Sequence, residues 1–213
     1  MAPLFADDAL LVLDKPSGLL AVPGRGADKQ DALSIRVQRL YPDALVVHRL
    51  DMATSGLMLM ARGPQTQRAL NKCFADRKVS KRYEAVVSGH LELPADACDG
   101  WSVIDLPISV DWPRRPLRII EAARGQPSVT RWQVLSYDAV RHATRVLLAP
   151  VTGRSHQLRV HLQALGHPIL GDTLYAGAAA RSQSSRLLLH ACALQLTHPV
   201  TGAHLAFESP APF

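Results

Sequence analysis

The sequence has few cysteines, few aromatic residues and no long apolar segment. Its three cysteines, Cys73, Cys98 and Cys192, lie far apart and form no CxxC pair, which excludes a disulfide framework and favours a reducing compartment. No apolar run approaches the roughly 18 residues that a membrane-spanning helix needs, and the N-terminus lacks the basic start and apolar core of a signal peptide. We therefore expect a cytoplasmic protein with no membrane partner.

Lysine is also scarce, although the chain is basic. Among 213 residues, 24 are Lys or Arg and 18 are Asp or Glu, which gives a net charge of +6, and 19 of the basic residues are arginines. The arginine guanidinium is a rigid fork of donors suited to phosphate and carboxylate, so the composition is compatible with nucleic-acid binding. GC-rich coding would give the same excess of arginine, and composition alone does not separate the two explanations.

Common catalytic and cofactor motifs are missing as well. The sequence contains no GxxxxGK[ST], GxGxxG, GxSxG or HExxH segment, which argues against the nucleotide-binding, hydrolase and metalloprotease classes that use them. His156 and His161 would fall on different faces of a helix, and no third ligand accompanies His198 and His204, so we expect no metal site. Ser155 and His156 are adjacent and would not face each other on a helix, which excludes a Ser–His nucleophile.

The pattern of apolar residues predicts more strands than helices. Strands are predicted at Leu10–Leu13, Leu57–Ala61, Tyr83–Val87, Trp132–Tyr137, Thr144–Leu148, Leu187–Leu196 and His204–Phe207. Helices are predicted at Asp28–Tyr41, with Leu33, Val37 and Leu40 on one face, from Pro64 to about Arg77, and from a Ser155 N-cap to Gly166, with a loop-rich stretch over 91–127. Because strands mostly follow strands, the sequence predicts an α+β fold, a single domain over 1–213 with a largely antiparallel mixed central sheet flanked by helices and loops.

The first unusual polar segment is His48-Arg49-Leu50-Asp51, which lies between apolar segments. Asp51 should therefore lie near the core at the end of a strand. A carboxylate there needs a cation or several hydrogen-bond donors to remain ionised. Alternatively, Asp51 caps the turn at 54–56 with its own side chain, and spacing alone leaves both interpretations open.

The second unusual segment is Gly153-Arg154-Ser155-His156-Gln157-Leu158-Arg159. If Ser155 caps the helix, Arg159 lies close to the positive end of the helix dipole, where a cation is unfavourable unless an anion is near. That anion could be a phosphate or Asp51. Alternatively, Arg159 is exposed and its stem covers apolar surface.

Four ordered motifs carry a resemblance to a known family. Lys15-Pro16-Ser17-Gly18-Leu19, the segment His48-Arg49-Leu50-Asp51 with Thr54-Ser55-Gly56-Leu57, Lys81-Arg82-Tyr83, and the segment from Thr152 to His161 followed by Gly166 to Asp172 stand in this order. Together they resemble the motifs of the RluA family of RNA pseudouridine synthases. Asp111-Trp112-Pro113 and Leu187-Leu188-Leu189-His190-Ala191 extend the resemblance towards the short, dual-specificity members. Because the first motif starts at Lys15, we expect no N-terminal S4 RNA-binding domain.

The resemblance implies a pseudouridine synthase fold and an isomerase that needs no cofactor and no metal. Asp51 corresponds to the family's catalytic aspartate, and Arg159 to the arginine that pairs with it and keeps it ionised. Tyr83 corresponds to the tyrosine that stacks on the uracil. Arg49 corresponds to the residue that fills the space of the flipped base, and His48 supports this loop and is grouped with Arg49 among the RNA-binding residues.

The resemblance also implies the partners. The expected substrates are a 23S rRNA stem-loop and a tRNA anticodon stem-loop, bound by a monomer. Further RNA contacts are predicted at Lys81, Arg82, Arg114 and Arg115. With 11 aromatic residues in the chain, recognition should depend on RNA shape, phosphates and a few flipped nucleotides.

Two functions of other classes remain open at this point. The first is a non-catalytic RNA-binding or ribosome-assembly factor on the same fold. The second is a small-molecule hydrolase that would use Asp51 together with His48, although it explains neither the arginine excess nor the ordered motifs.

Overall fold

The chain forms two compact units in a computed structural model that describes residues 2–213. The first unit contains the residues up to Lys81 and His190–Pro212, and the second contains Arg82–Leu189 and Phe213. Strands outnumber helices in both units, and the α+β class predicted from the sequence is confirmed. Within the described residues, none of the helices has the length and apolar character needed to cross a membrane.

The regular elements are short and follow one another closely. The strands are β1 (Phe5–Ala6), β2 (Leu10–Lys15), β3 (Ala44–Val46), β4 (Ser55–Arg62), β5 (Ser80–Ser88), β6 (Ser102–Asp105), β7 (Ile108–Val110), β8 (Arg118–Ile120), β9 (Val129–Asp138), β10 (Ala143–Pro150), β11 (Leu189–Thr197) and β12 (His204–Glu208). The helices are α1 (Leu33–Gln38), α2 (Gly63–Ala75), α3 (Gln157–Ala164) and α4 (Ala178–Ser182), with a 3₁₀ turn at Ala27–Lys29.

The sheet of the first unit is built around β4. This strand pairs antiparallel with β2 and with β3, and β11 continues antiparallel into β12. The pairing of β4 with β11 is parallel, through His190 opposite Ser55 and Ala191 opposite Gly56. The sheet is therefore mixed and largely antiparallel, as the sequence predicts.

Both faces of β4 are buried, which explains its continuous apolar sequence. One face of the sheet packs against α2 in a core that contains Leu10, Val12, Leu57, Leu59, Ala61, Leu70, Val79, Leu194 and Leu196. Side chains of the opposite face, such as Met58 and Met60, are also fully buried. The start of β4 is thus held firmly on both sides, and the segment that contains Asp51 leads directly into it.

The second unit contains an antiparallel sheet and a separate two-stranded ribbon. β10 pairs with β5 on one side and with β9 on the other, and β6 pairs with β9. The ribbon consists of β7 and β8. Val160 of α3 packs with Ile108 of β7 and Tyr175, so that α3 and the ribbon share one small core.

The predicted helix at Asp28–Tyr41 is wrong in its extent. Only Leu33–Gln38 is α-helical, and Leu40, expected on the apolar face, is 61% exposed. Residues 25–31 are all exposed, so the first part of the predicted helix has no apolar partner. Short helices are stabilised mainly by burial of one face, which explains why the helix is restricted to the segment around Leu33 and Val37.

The predicted N-cap of α3 is also wrong. His156, not Ser155, holds the cap position, in a left-handed conformation with φ 58° and without a side-chain cap hydrogen bond. The Gln157 side chain is instead tied to the preceding loop, where its Oε1 accepts hydrogen bonds from the Thr152 hydroxyl (2.8 Å) and the Arg154 N–H (3.0 Å). The chain therefore enters α3 through a turn that is fixed by buried polar contacts.

Candidate active site

Asp51 lies in an irregular segment that connects β3 to β4 in the first unit. The side chain of Asp51 is half-buried, whereas Arg49 is exposed. The backbone carbonyl of Asp51 accepts a hydrogen bond from the Thr54 N–H at 3.1 Å, which closes a tight turn immediately before β4. This geometry presents Asp51 and Arg49 on one short segment, and the chain is buried from Thr54 onwards.

A buried lysine fixes this turn through hydrogen bonds to backbone carbonyls. Lys15 ends β2 and is fully buried, and its Nζ donates hydrogen bonds to the carbonyls of Pro16 (2.9 Å), Leu19 (2.8 Å) and Met52 (3.1 Å). A buried ammonium is tolerated only when its donors are satisfied. Lys15 thus joins the turn at 16–19 to the residue that follows Asp51.

Two further hydrogen bonds join the same two turns. The Ser17 hydroxyl donates to the Ala53 carbonyl at 2.7 Å, and the Gly18 N–H donates to the Met52 carbonyl at 2.8 Å. The segment 52–53 is therefore held by three donors from the first motif. The sequence alone assigned Lys15 no role, although its position two residues after the apolar segment Leu10–Leu13 was the available signal.

His48 supports the segment from its other end. Its Nε2 accepts a hydrogen bond from the Leu59 N–H at 2.8 Å, and its ring packs 4.7 Å from the ring of Phe74. Burial, together with the nearby Lys81 ammonium, lowers the pKa of His48 to about 3. His48 is therefore a neutral acceptor with Nε2 already engaged, which disfavours the hydrolase hypothesis, since that requires His48 to exchange protons beside Asp51.

Gly56 is required where β4 meets β11. Its φ is 108°, and a Cβ at this position would lie 2.4 Å from the carbonyl oxygen of Ala191. Only glycine permits such a close parallel approach. Beside it, the Ser55 hydroxyl and His190 Nδ1 are 2.8 Å apart, and both side chains are buried, so the motif at 54–56 anchors the Asp51 turn to the sheet.

Arg159 lies in the first turn of α3 in the second unit and is paired with an acid that the sequence reasoning missed. Its Nε and Nη2 donate to Asp172 Oδ2 (2.7 Å) and Oδ1 (2.6 Å), and the two side chains are only 4% and 1% exposed. The N–H groups of Leu174 and Tyr175 also donate to Asp172 Oδ1. Asp172 therefore supplies the anion that an arginine near a helix N-terminus needs.

An aromatic side chain also contacts the Arg159 guanidinium. The guanidinium carbon lies 5.0 Å from the centre of the Tyr175 ring. The Tyr175 hydroxyl accepts from the Arg118 N–H (2.9 Å), and its oxygen is 2.6 Å from His156 Nδ1. Burial raises the pKa of Tyr175, which keeps the hydroxyl protonated so that it can donate to His156.

Buried polar contacts also attach α3 to the neighbouring sheet. His161 Nδ1 lies 2.9 Å from the Thr130 hydroxyl, and its Nε2 lies 3.0 Å from the Leu106 carbonyl. Desolvation lowers the pKa of His161, consistent with a neutral ring that donates from Nε2 and accepts at Nδ1. The position of Arg159 is thus fixed both by its own partners and by the attachment of its helix.

The remaining predicted residues lie on β5 and on the loop between β7 and β8. Tyr83 is half-buried on β5 opposite Leu148 of β10, and Arg82 beside it is exposed. The Lys81 ammonium lies 6.0 Å from the centre of the Phe74 ring, and burial lowers its pKa. The two loop arginines, Arg114 and Arg115, are exposed.

The predicted residues therefore divide between the two units. His48, Arg49, Asp51 and Lys81 belong to the first, whereas Arg82, Tyr83, Arg114, Arg115 and Arg159 belong to the second. The predicted pairing of Asp51 with Arg159 and the predicted RNA contacts, including that of His48, stay predictions.

Comparisons with known proteins agree with the motif pattern. The family profile described as RNA pseudouridylate synthase matches residues 9–164. The chain is 48% identical over 210 residues to the dual-specificity RNA pseudouridine synthase RluA of Escherichia coli K12, covering 99% of this chain and 93% of the relative. It is 46% identical over 213 residues to the protein of the same name from Yersinia pestis, covering 100% of both.

Solved structures give the same result. The human RNA pseudouridylate synthase domain containing 1 matches with a TM-score of 0.79 and 29% identity, covering 100% of this chain and 84% of that chain. The human RNA pseudouridylate synthase domain containing 4 matches with a TM-score of 0.74 and 28% identity, covering 99% and 88%. The resemblance read from the motifs is thereby confirmed, and the chain belongs to the RNA pseudouridylate synthase family as an isomerase of the RluA type.

Proposed function

We propose that this enzyme converts uridine to pseudouridine in stem-loops of two RNAs, a large-subunit rRNA and a tRNA, and that it acts as a cytoplasmic monomer. The observation that carries the proposal is the agreement between the family match over 9–164 and the rigidly held Asp51 turn within it. The relatives' shared name supports the dual specificity, because they match over nearly the whole chain.

The reaction rearranges atoms that the nucleotide already contains. The bond between ribose C1′ and uracil N1 breaks, the uracil turns within the site, and a bond forms between C1′ and C5. The proton on C5 leaves, and N1 gains a proton, so that product and substrate are isomers. The residues assigned here need only bind the base, act on the ribose or the base, and move one proton.

Asp51 is the proposed catalytic group, and the way its turn is built suits that role. A reacting carboxylate must be held within a fraction of an ångström of its working position. Lys15, Ser17 and Gly18 hold the two residues that follow Asp51, while His48 fixes the segment before it. Asp51 can therefore meet a flipped nucleotide without a large change in its own backbone.

Arg159 is the proposed partner that keeps Asp51 ionised. A guanidinium has five N–H donors on three nitrogens, and Asp172 engages two of those nitrogens, Nε and Nη2. The bidentate bond orients the whole planar group, so that Nη1 has a defined direction. Asp172 therefore positions Arg159 for a second carboxylate, in the proposed pairing with Asp51.

Tyr83 and Arg49 are proposed to handle the base and the gap that it leaves. Tyr83 offers a half-buried ring on β5, the kind of surface on which a flipped uracil stacks. Arg49 is exposed on the Asp51 turn, and its planar guanidinium can stack where the base was.

The test is the conservative substitution Asp51→Asn, assayed with transcripts of a tRNA anticodon stem-loop and an rRNA stem-loop. Pseudouridine formation should fall by at least about a hundredfold, while the affinity for both RNAs stays close to wild type. Asp28→Asn, which makes the same change at an exposed site of the first unit, is the matched control and should retain full activity. Full activity of Asp51→Asn would refute the assignment.

A further inference from the structure

The loop that joins β7 to β8 carries an exposed tryptophan surrounded by arginines. Trp112 is 64% exposed, although tryptophan is usually largely buried. The guanidinium carbon of Arg115 lies 4.0 Å from the centre of the Trp112 ring, and its Nε donates to the Trp112 carbonyl. Arg115 thus covers one face of the indole, and the high exposure leaves the other face in water.

The neighbouring arginine is held in place by a buried acid. Asp111 is 5% exposed and accepts hydrogen bonds from the Arg114 N–H (3.2 Å) and from Arg114 Nε (2.6 Å). The Arg114 side chain is itself 71% exposed. Its stem is therefore fixed while its terminal nitrogens are presented to solvent, an arrangement suited to phosphate recognition.

The loop is also rigidly connected to the helix that carries Arg159. The Asp111 N–H donates to the Leu117 carbonyl at 3.1 Å, which closes the loop at its base. At its end, the Arg118 N–H donates to the Tyr175 hydroxyl, and Tyr175 lies under the Arg159 guanidinium. A ligand bound to this loop would therefore have a defined position relative to α3.

We propose that the 111–118 loop is an RNA-docking element in which one nucleobase stacks on the open face of Trp112 and the flanking phosphates contact Arg114 and Arg115. This proposal rests on the proposed function, and it adds a stacking residue that the arginine predictions did not include. Exposed Trp and Arg side chains also occur at protein interfaces. RNA is the favoured partner, because the loop carries three arginines and one carboxylate, and that carboxylate is buried.

The first test compares RNA binding of Trp112→Ala and Trp112→Phe with that of wild type. The probe is a fluorescein-labelled tRNA anticodon stem-loop, followed by fluorescence anisotropy. Trp112→Ala should weaken binding by about tenfold, because base–aromatic stacking contributes on that scale, and Trp112→Phe should stay within about threefold, since it keeps an aromatic face. The matched control is Tyr137→Ala. Tyr137 is an exposed aromatic residue of the second unit, and its ring centre lies 4.1 Å from that of His90. This variant should bind like wild type.

Salt dependence separates stacking from charge. Arg115→Ala should reduce the slope of log Kd against log salt concentration by about one, because a phosphate contact releases counterions. Trp112→Ala should weaken binding with nearly unchanged slope. Intrinsic fluorescence gives a direct signal: RNA should quench the emission of wild type, and this quenching should be lost in Trp112→Phe, although that variant still binds.

Three results would overturn the proposal. They are wild-type affinity of Trp112→Ala, an equal loss in Tyr137→Ala, and RNA-induced quenching that persists in Trp112→Phe. If Trp112→Ala kept wild-type RNA affinity but lost binding to a protein partner, the loop would be a protein interface and the proposal would be wrong. Failure of the proposed function is distinguishable, because wild type would then form no pseudouridine while the Trp112 variants still differed in RNA affinity.

Discussion

Replacing Lys15 with methionine tests whether the buried ammonium holds the Asp51 turn. Methionine has a similar length and is apolar, so it fills the space but cannot donate to the carbonyls of Pro16, Leu19 and Met52. The Met52 carbonyl keeps its hydrogen bond from Gly18. The buried Leu19 carbonyl loses its ionic donor, which costs about 1–3 kcal/mol. The Pro16 carbonyl loses less, because Pro16 is exposed and water can replace the donor.

The expected loss is moderated by the removal of a charge that is itself costly to bury. We therefore expect Lys15→Met to lower the free energy of unfolding by about 2 kcal/mol. That loss is a large fraction of the roughly 5–15 kcal/mol typical of a folded protein. In the folded variant the segment 52–53 is less restrained, and pseudouridine formation should fall more than RNA affinity does.

The assay is urea unfolding followed by circular dichroism, combined with kinetics on the tRNA anticodon stem-loop. Lys72→Met is the matched control, because the Lys72 side chain is 76% exposed and its ion pair with Asp76 is on the surface. Such pairs contribute about 0.5 kcal/mol or less. If Lys15→Met unfolded within about 1 kcal/mol of wild type, or no more easily than Lys72→Met, the reasoning would be wrong.

Three further changes probe the rest of the site. Asp172→Asn should leave the Arg159 cation without its buried counterion and destabilise the protein by about 3–5 kcal/mol, measured by thermal unfolding. It should also reduce turnover more than RNA binding, and unchanged stability would contradict the ion pair. The pKa of His48 is lowered in the folded protein, so its contribution to stability is full above about pH 6.5. That contribution is lost as the pH falls towards 3, by up to about 1.4 kcal/mol per pH unit. His48→Gln can still accept the hydrogen bond from the Leu59 N–H and should remove this part of the acid sensitivity. Arg49→Ala should unfold like wild type and lose most activity on folded stem-loops, whereas equal activity would exclude its role in filling the gap.

The fold was predictable wherever local pattern and burial agree. The helix predicted from Pro64 to about Arg77 is present as α2, because proline suits its first turn and Leu70 has a core to pack against. The prediction over Asp28–Tyr41 followed the same spacing rule and failed, since Asp28 and its neighbours have nothing to bury against. Periodicity states which residues share a face but not whether a partner surface exists for that face.

The sequence singled out the two groups that are proposed to act in catalysis, but not the residues that support them. Asp51 and Arg159 stood out because a carboxylate between apolar segments and a cation at a helix start are locally anomalous. Lys15 did not, since lysine is almost never fully buried and its three acceptors lie in two separate turns. The hydrogen bond that Arg159 donates to Asp172 spans 13 positions, and no local pattern predicts such a pairing.

The most direct test of the central claim follows the hydrogen on uracil C5. Transcripts of the tRNA and rRNA stem-loops carrying tritium at C5 of uridine are incubated with wild type and with Asp51→Asn. Since C5 exchanges its hydrogen for the bond to C1′, wild type should release one tritium to water for each pseudouridine formed, from both RNAs, and Asp51→Asn should release none above background. No release by wild type, or equal release by Asp51→Asn, would contradict the account.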